Sequence, residues 1–174
     1  MKTLIIIDMQ RDFMPGNALG VPQADELIPI INELIPQFEH VLATFDWHPE
    51  NHVSFSEWPM HCVKHKEGAK FAIGLHTEKI EAIFRKGIDP KIESYSAFFD
   101  DTKKRSTGLE DYLRKHNLHE LYFVGVATDY CILYSALDAV ALGFNVTVIP
   151  EACRAIRDGE KALEAMRSKG VKLR

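Results

Sequence analysis

Cys131 ends the run Gly125-Val126-Ala127-Thr128-Asp129-Tyr130-Cys131, where small residues separate an apolar stretch from a helical pattern. A thiol at the start of a helix feels the positive end of the helix dipole, which lowers its pKa toward the reactive thiolate. Free backbone N–H groups in the same turn can hold an oxyanion. The plainer alternative is a small buried hydrophobe, the usual place of a free cysteine. Asp8 closes the most apolar run of the chain, Thr3-Leu4-Ile5-Ile6-Ile7. A carboxylate there is costly unless it is paired or working, and it can take a proton from a thiol and return it to a leaving amine. Otherwise it caps a turn through local backbone bonds. Asp12, the next carboxylate, reads as a loop-stabilising residue. Lys86, in Ile83-Phe84-Arg85-Lys86-Gly87, can hold a thiolate and developing negative charge if it points into a cleft, and is simply solvated if it does not. Asp46 and His48 lie two apart, so on an extended chain they share a face. With His52, His61 and His65 close behind, one carboxylate and two or three imidazoles fit a divalent ion such as zinc, iron or manganese. The spacing is no zinc-finger pattern, and a loop rich in surface histidine is the alternative.

These groups need elements to place them. Residues 3–7 read as a buried strand ending at Asp8, and residues 40–45 as a second ending at Asp46. Residues 81–85 form a third strand before Lys86, residues 121–126 a fourth and residues 145–149 a fifth, with a sixth at 171–173. Helical spacing appears over residues 24–38, beginning close to Pro29, and over 109–116, 131–142 and 159–168. Gly143 suits a helix C-cap. Strands alternating with helices imply an α/β fold, a doubly wound, six-stranded parallel sheet flanked by helices. In such sheets ligands bind beyond the carboxyl ends of the strands, which is where Asp8, Lys86 and the turn to Cys131 fall. The region at about residues 46–75 lacks periodicity and reads as a functional insertion in a single domain over 1–174.

Composition narrows the function classes. The chain has 174 residues, 46% hydrophobic and 26% charged, an ordinary globular balance. A formal net charge of -4, with scattered Lys and Arg, predicts no nucleic-acid or membrane partner. The apolar run near the N-terminus is too short for a signal peptide, and no stretch approaches a membrane span. Three cysteines at irregular spacing make no disulfide framework. A cytoplasmic location is the simplest expectation.

The motifs Ile7-Asp8-Met9-Gln10-Arg11-Asp12-Phe13, Asp46-Trp47-His48-Pro49-Glu50-Asn51-His52, Trp58-Pro59-Met60-His61-Cys62-Val63, Arg85-Lys86-Gly87 and the run to Cys131 span almost the whole chain. Together they resemble the nicotinamidases (pyrazinamidases) of the isochorismatase-like cysteine hydrolase superfamily. The resemblance implies hydrolysis of nicotinamide to nicotinate and ammonia, and of pyrazinamide, through a cysteine thioester, as a step of NAD salvage. It implies Cys131 as nucleophile, Asp8 as general base and acid and Lys86 as electrostatic partner. The oxyanion hole would be the N–H groups of Ala127 and Cys131, with a cis peptide before Ala127. Asp46, His48 and His61 would hold one divalent metal, with His52 a further candidate ligand. Phe13, Trp58 and Tyr95 would enclose the ring. A homo-oligomer is compatible with this reading. Two positions depart from the family pattern: Lys66, where a Thr is frequent, and Tyr130, where a His is common. The rival readings are a cysteine hydrolase of another small amide or N-carbamoyl compound, and a metal-stabilised binding module without turnover.

Overall fold

A computed structural model describes all residues, 1–174. Its centre is β1, Lys2–Ile7, whose residues from Thr3 onward are buried. A run of isoleucines suits this place because β-branched side chains pack on both faces of a pleated strand. Successive residues point to opposite faces. Leu4 and Ile6 therefore enter one core, with Leu27, Ile31, Val41 and Ala43. Ile5 and Ile7 enter the other, with Leu113, Phe123, Ala136 and Met166. Each such side chain, fully buried, contributes roughly 2 kcal/mol of transfer free energy.

The other strands are β2 His40–Asp46, β3 Ile80–Lys86, β4 Glu120–Val126, β5 Asn145–Arg154 and β6 Lys172–Leu173. All pair in parallel, in the order β3-β2-β1-β4-β5-β6. The chain thus winds outward in one direction from β1 and in the other from β4, and the crevice opens where the winding reverses. Gly125 is required at that seam: a Cβ there would stand 2.1 Å from the Ile7 carbonyl oxygen.

The helices are α1 Leu27–Leu34, α2 Leu109–Lys115, α3 Leu133–Ala141 and α4 Gly159–Ser168. Three expectations are corrected. The helical pattern over 24–38 breaks into a 3-10 turn at Ala24–Glu26, α1, and a second 3-10 turn at Ile35–Gln37 that carries Pro36. The helix expected from Cys131 instead begins as a π-helical turn, Thr128–Ile132, so Cys131 lies inside that turn rather than at an α-helix N-terminus. β5 runs past Pro150 to Arg154, with a register shift opposite Phe123 and Gly125 that absorbs the missing N–H. The segment 47–75 carries no α-helix or named strand, only 3-10 turns at Val53–Ser56 and Glu67–Ala69. A second irregular segment, 87–108, was not singled out by the sequence. No helix is long and apolar enough to cross a membrane.

Candidate active site

The strand ends converge. Asp8, one step past β1, is fully buried and adopts a left-handed backbone at φ 49°. Such a conformation in a residue other than glycine persists only where its surroundings enforce it. Thr44 on β2 does so from both sides: its Oγ1 accepts the Asp8 N–H at 3.2 Å and donates to Asp8 Oδ1 at 2.7 Å. Oδ2 is left facing the Lys86 ammonium at 2.9 Å, with no well-aligned hydrogen bond.

Lys86 is the hub. The register pairs it with Asp46 across β2 and β3, and its Nζ is fully enclosed. Nζ donates to Asp46 Oδ1, to the Ser94 carbonyl at 3.3 Å and to Cys131 Sγ at 3.3 Å. A buried ammonium between two buried carboxylates decides the charges of the group. Burial works against the charged lysine, but Asp46 and Asp8 outweigh it and hold its pKa well above the ordinary value. Burial likewise opposes ionisation of Asp46, yet Lys86 and His48 drive its pKa well below the usual range. Asp8 goes the other way: burial raises its pKa and Lys86 offsets this only in part.

The Cys131 thiol is pushed well above its ordinary range, by burial first, with Asp8 and Asp46 adding to it against the pull of Lys86. The expectation of a dipole-lowered thiolate is therefore corrected. A thiol pushed upward beside a carboxylate also pushed upward places a proton donor next to a group of raised basicity.

Asp46 also faces outward. Its Oδ2 lies 3.5 Å from His48 Nε2 and 3.7 Å from His61 Nε2, and the three residues form a buried set of converging ligand atoms. His48 Nδ1 bonds the Gly87 carbonyl at 2.9 Å and His61 Nδ1 the Pro59 carbonyl at 2.7 Å. Each ring thereby carries its proton on Nδ1 and turns the Nε2 lone pair inward, the arrangement that metal-binding histidines use. His48 Nε2 is buried and without a hydrogen-bond partner, so it fits a ligand that needs a lone pair. Gly87 makes room for this ring, since a Cβ there would stand 2.3 Å from His48 Cε1. His52 is not part of the set. Its Nδ1 accepts the Ser54 N–H at 3.1 Å and its Nε2 meets the Ile92 carbonyl at 3.2 Å, leaving neither nitrogen for an ion. It stacks on His48 with centroids 4.1 Å apart, which makes it a support for a ligand rather than a ligand. His65 is turned away and packs on Trp47.

A cleft opens onto Cys131 and Ala127, with Asp46 and His61 at one wall. Phe13, Trp58 and Tyr95 line it. The Trp58 indole N–H donates to the Tyr95 hydroxyl at 3.1 Å, which ties the insertion to the second irregular segment. Tyr130 completes the aromatic wall, edge-on to Trp58 at 5.1 Å. Lys66 does not line this cleft; it is exposed and paired with Glu50, so that departure leaves the cleft alone. The Val126–Ala127 peptide is cis. The Ala127 carbonyl accepts the N–H groups of Tyr130 and Ile132, which winds the turn that carries Cys131.

Several residues escaped the sequence. Gln10 is fully buried, and its side-chain amide accepts the Asp46 N–H at 2.9 Å while donating to the Asp46 carbonyl at 2.8 Å and the Ala69 carbonyl at 2.9 Å. A polar residue two places after the strand-end Asp8, next to Met9, was the available signal. Thr44 could have been found as a polar residue inside an apolar strand. Glu93 and Ile156 line the cleft from irregular segments that carry no pattern. Asp12 has the loop-holding part expected of it: its Oδ2 accepts the Cys62 N–H at 2.8 Å, one residue from His61. Gly68 packs against that carboxylate so closely that a Cβ would meet it at 2.0 Å.

A doubly wound parallel sheet with a cysteine, a carboxylate and an ammonium at its strand ends defines the fold and site of the isochorismatase-like hydrolases. The chain belongs to the isochorismatase domain family, whose pattern matches residues 2–174. Among its relatives it is similar to the nicotinamidase of Escherichia coli (strain K12), with 39% identity over an alignment covering 99% of this chain and 93% of that protein. The pyrazinamidase of Pyrococcus horikoshii, solved in complex with zinc, is 43% identical, with a TM-score of 0.90 and coverage of 99% and 98%. PnC1 from L. infantum, solved in complex with nicotinate, superposes with a TM-score of 0.96 at 38% identity, covering 100% of this chain and 92% of that one.

Proposed function

We propose that the chain is an amidase that hydrolyses nicotinamide to nicotinate and ammonia, and accepts pyrazinamide, as a step that returns nicotinamide to pyridine nucleotide synthesis. The observation that carries this reading is the contact of Cys131 Sγ with Lys86 Nζ, beside Asp8, at the floor of an aromatic cleft. The relatives named above agree with it in substrate class.

The residues divide the work as follows. Asp8 takes the thiol proton as Cys131 Sγ attacks the amide carbon, and its raised pKa suits it to hold that proton. The carbonyl oxygen gathers negative charge within reach of the Ala127 and Cys131 N–H groups. Each such donor is worth about 3 kcal/mol in other hydrolases. Lys86 stays charged throughout and stabilises the forming thiolate and the ionised Asp8. The C–N bond then breaks, Asp8 delivers its proton to the nitrogen, and ammonia leaves a thioester on Cys131. Asp8 next takes a proton from water as the water oxygen attacks the thioester. The C–S bond breaks, the acid is released, and the proton returns to Cys131. Phe13, Trp58 and Tyr95 hold the ring by its faces and edges. Asp46, His48 and His61 would hold one divalent ion, and zinc, iron and manganese all accept this donor set. Such an ion supplies a Lewis acid that can take the lone pair of a ring nitrogen.

Ammonia release from nicotinamide, measured with and without a chelator, tests the reading. Turnover with a raised KM after chelation is the expected result. Faster ammonia release from aliphatic or N-carbamoyl amides in the same assay would replace nicotinamide as the substrate.

A further inference from the structure

Asp129 stands two residues before Cys131 in the π-helical turn, yet the hydrogen bonds of its side chain go elsewhere. Its Oδ1 accepts the Ile156 N–H at 2.9 Å, and its Oδ2 accepts the N–H groups of Arg157 at 2.7 Å and Asp158 at 3.0 Å. Three consecutive backbone donors converge on one carboxylate, the geometry of an anion-binding nest whose anion is a side chain. Charge-assisted bonds of this kind are the strong ones.

The segment so held builds the cleft. Ile156 lines it. The Arg157 guanidinium lies 5.7 Å from the Trp58 ring centroid, at the edge of the aromatic wall. Asp158 caps α4, its side chain accepting the Lys161 N–H at 3.0 Å. Residues 155–157 lie between β5 and α4 and belong to neither, while Asp158 is the N-cap of α4. Removing the carboxylate leaves three N–H groups without their acceptor and frees the wall from the turn.

We propose that Asp129 is a positioning residue: it clamps residues 156–158 onto the nucleophile turn, and so sets the width of the cleft and the tightness with which an aromatic amide is held. This rests on the cleft being the amide site, and Asp129 makes or breaks no bond in the reaction.

The test compares Asp129→Ala and Asp129→Asn with the unaltered chain. The Ala variant should raise KM for nicotinamide about tenfold while kcat changes by less than about threefold. The Asn variant, which keeps one acceptor oxygen, should recover part of the KM and serves where Ala folds poorly. Adding Asp129→Ala to a chain already carrying Ile156→Ala and Arg157→Ala should change KM by less than about twofold, since its effect runs through those side chains. A second arm needs no turnover. The rate of Cys131 alkylation by N-phenylmaleimide, divided by that by iodoacetamide, should shift by about tenfold in Asp129→Ala, because only the aromatic reagent senses the wall. An unchanged ratio, a fall in kcat at constant KM, or a full additional effect in the triple variant would each overturn the proposal. Absence of nicotinamide turnover in the unaltered chain, with the alkylation ratio still shifting, would instead count against the substrate.

Discussion

The group at the strand ends and the wall of the cleft are built on opposite principles. Asp8, Asp46 and Lys86 end or follow strands that pair side by side, are almost wholly buried, and fix one another's charge through direct contacts. The wall comes from Phe13, Trp58, Tyr95, Tyr130 and Ile156, on segments outside the sheet; a hydrogen bond joins Trp58 to Tyr95, and the Asp129 carboxylate holds Ile156. Rigid elements carry the groups that must be placed to a fraction of an ångström, and loops carry those that choose what enters. Chemistry and selectivity should therefore be separable by mutation.

The largest effect tests the first half of that division. Cys131→Ala should lower kcat by at least about 10⁴-fold with little change in melting temperature, since only a sulfur atom is lost. Turnover near the original rate would remove the cysteine from the reaction. Lys86→Met should cost about 3–5 kcal/mol in stability, because two buried carboxylates lose the charge that holds them, and activity should fall with it. Denaturant unfolding reads the first and ammonia release the second; a stable, inactive variant would make Lys86 purely catalytic. Trp58→Ala should act on the other half, raising KM about tenfold with kcat within about threefold. A collapse of kcat instead would break the comparison.

The smallest effect is a displacement along the pH axis. Asp8 must be ionised to take the thiol proton, and burial raises its pKa. The acid limb of kcat/KM should therefore fall at a pH above the ordinary carboxylate range. Cys131 and Lys86 are both raised, so the alkaline limb should lie beyond the range of a free thiol. An acid limb at an ordinary carboxylate pKa would remove Asp8 as the base.

The same division explains what could be read from the sequence. Strand-end groups were legible because each apolar run announces where it stops, and a charged residue at that point is costly without a reason. Cys131 was legible as a position but not in its ionisation: the dipole argument treats only the turn, whereas the thiol answers to burial and to carboxylates from two other strands. His52 stands among the candidate ligands by residue type and by the family resemblance, and only the placement of Ser54 and Ile92 shows its nitrogens to be taken. Gln10 and Asp129 act through backbone groups distant in sequence, and no spacing rule reaches them.

Gly68 extends this beyond the site. Its lack of a side chain leaves room for the Asp12 carboxylate, which steadies Cys62 beside His61. A single added methyl would swing Asp12 off that N–H and loosen His61, one of the three proposed ion ligands, so Gly68→Ala should shed metal in a dialysis series sooner than the unaltered chain. The stretch of sequence in which an inherited change can silence this protein is thus wider than its reacting atoms, and some of its most damaging substitutions will be among the smallest.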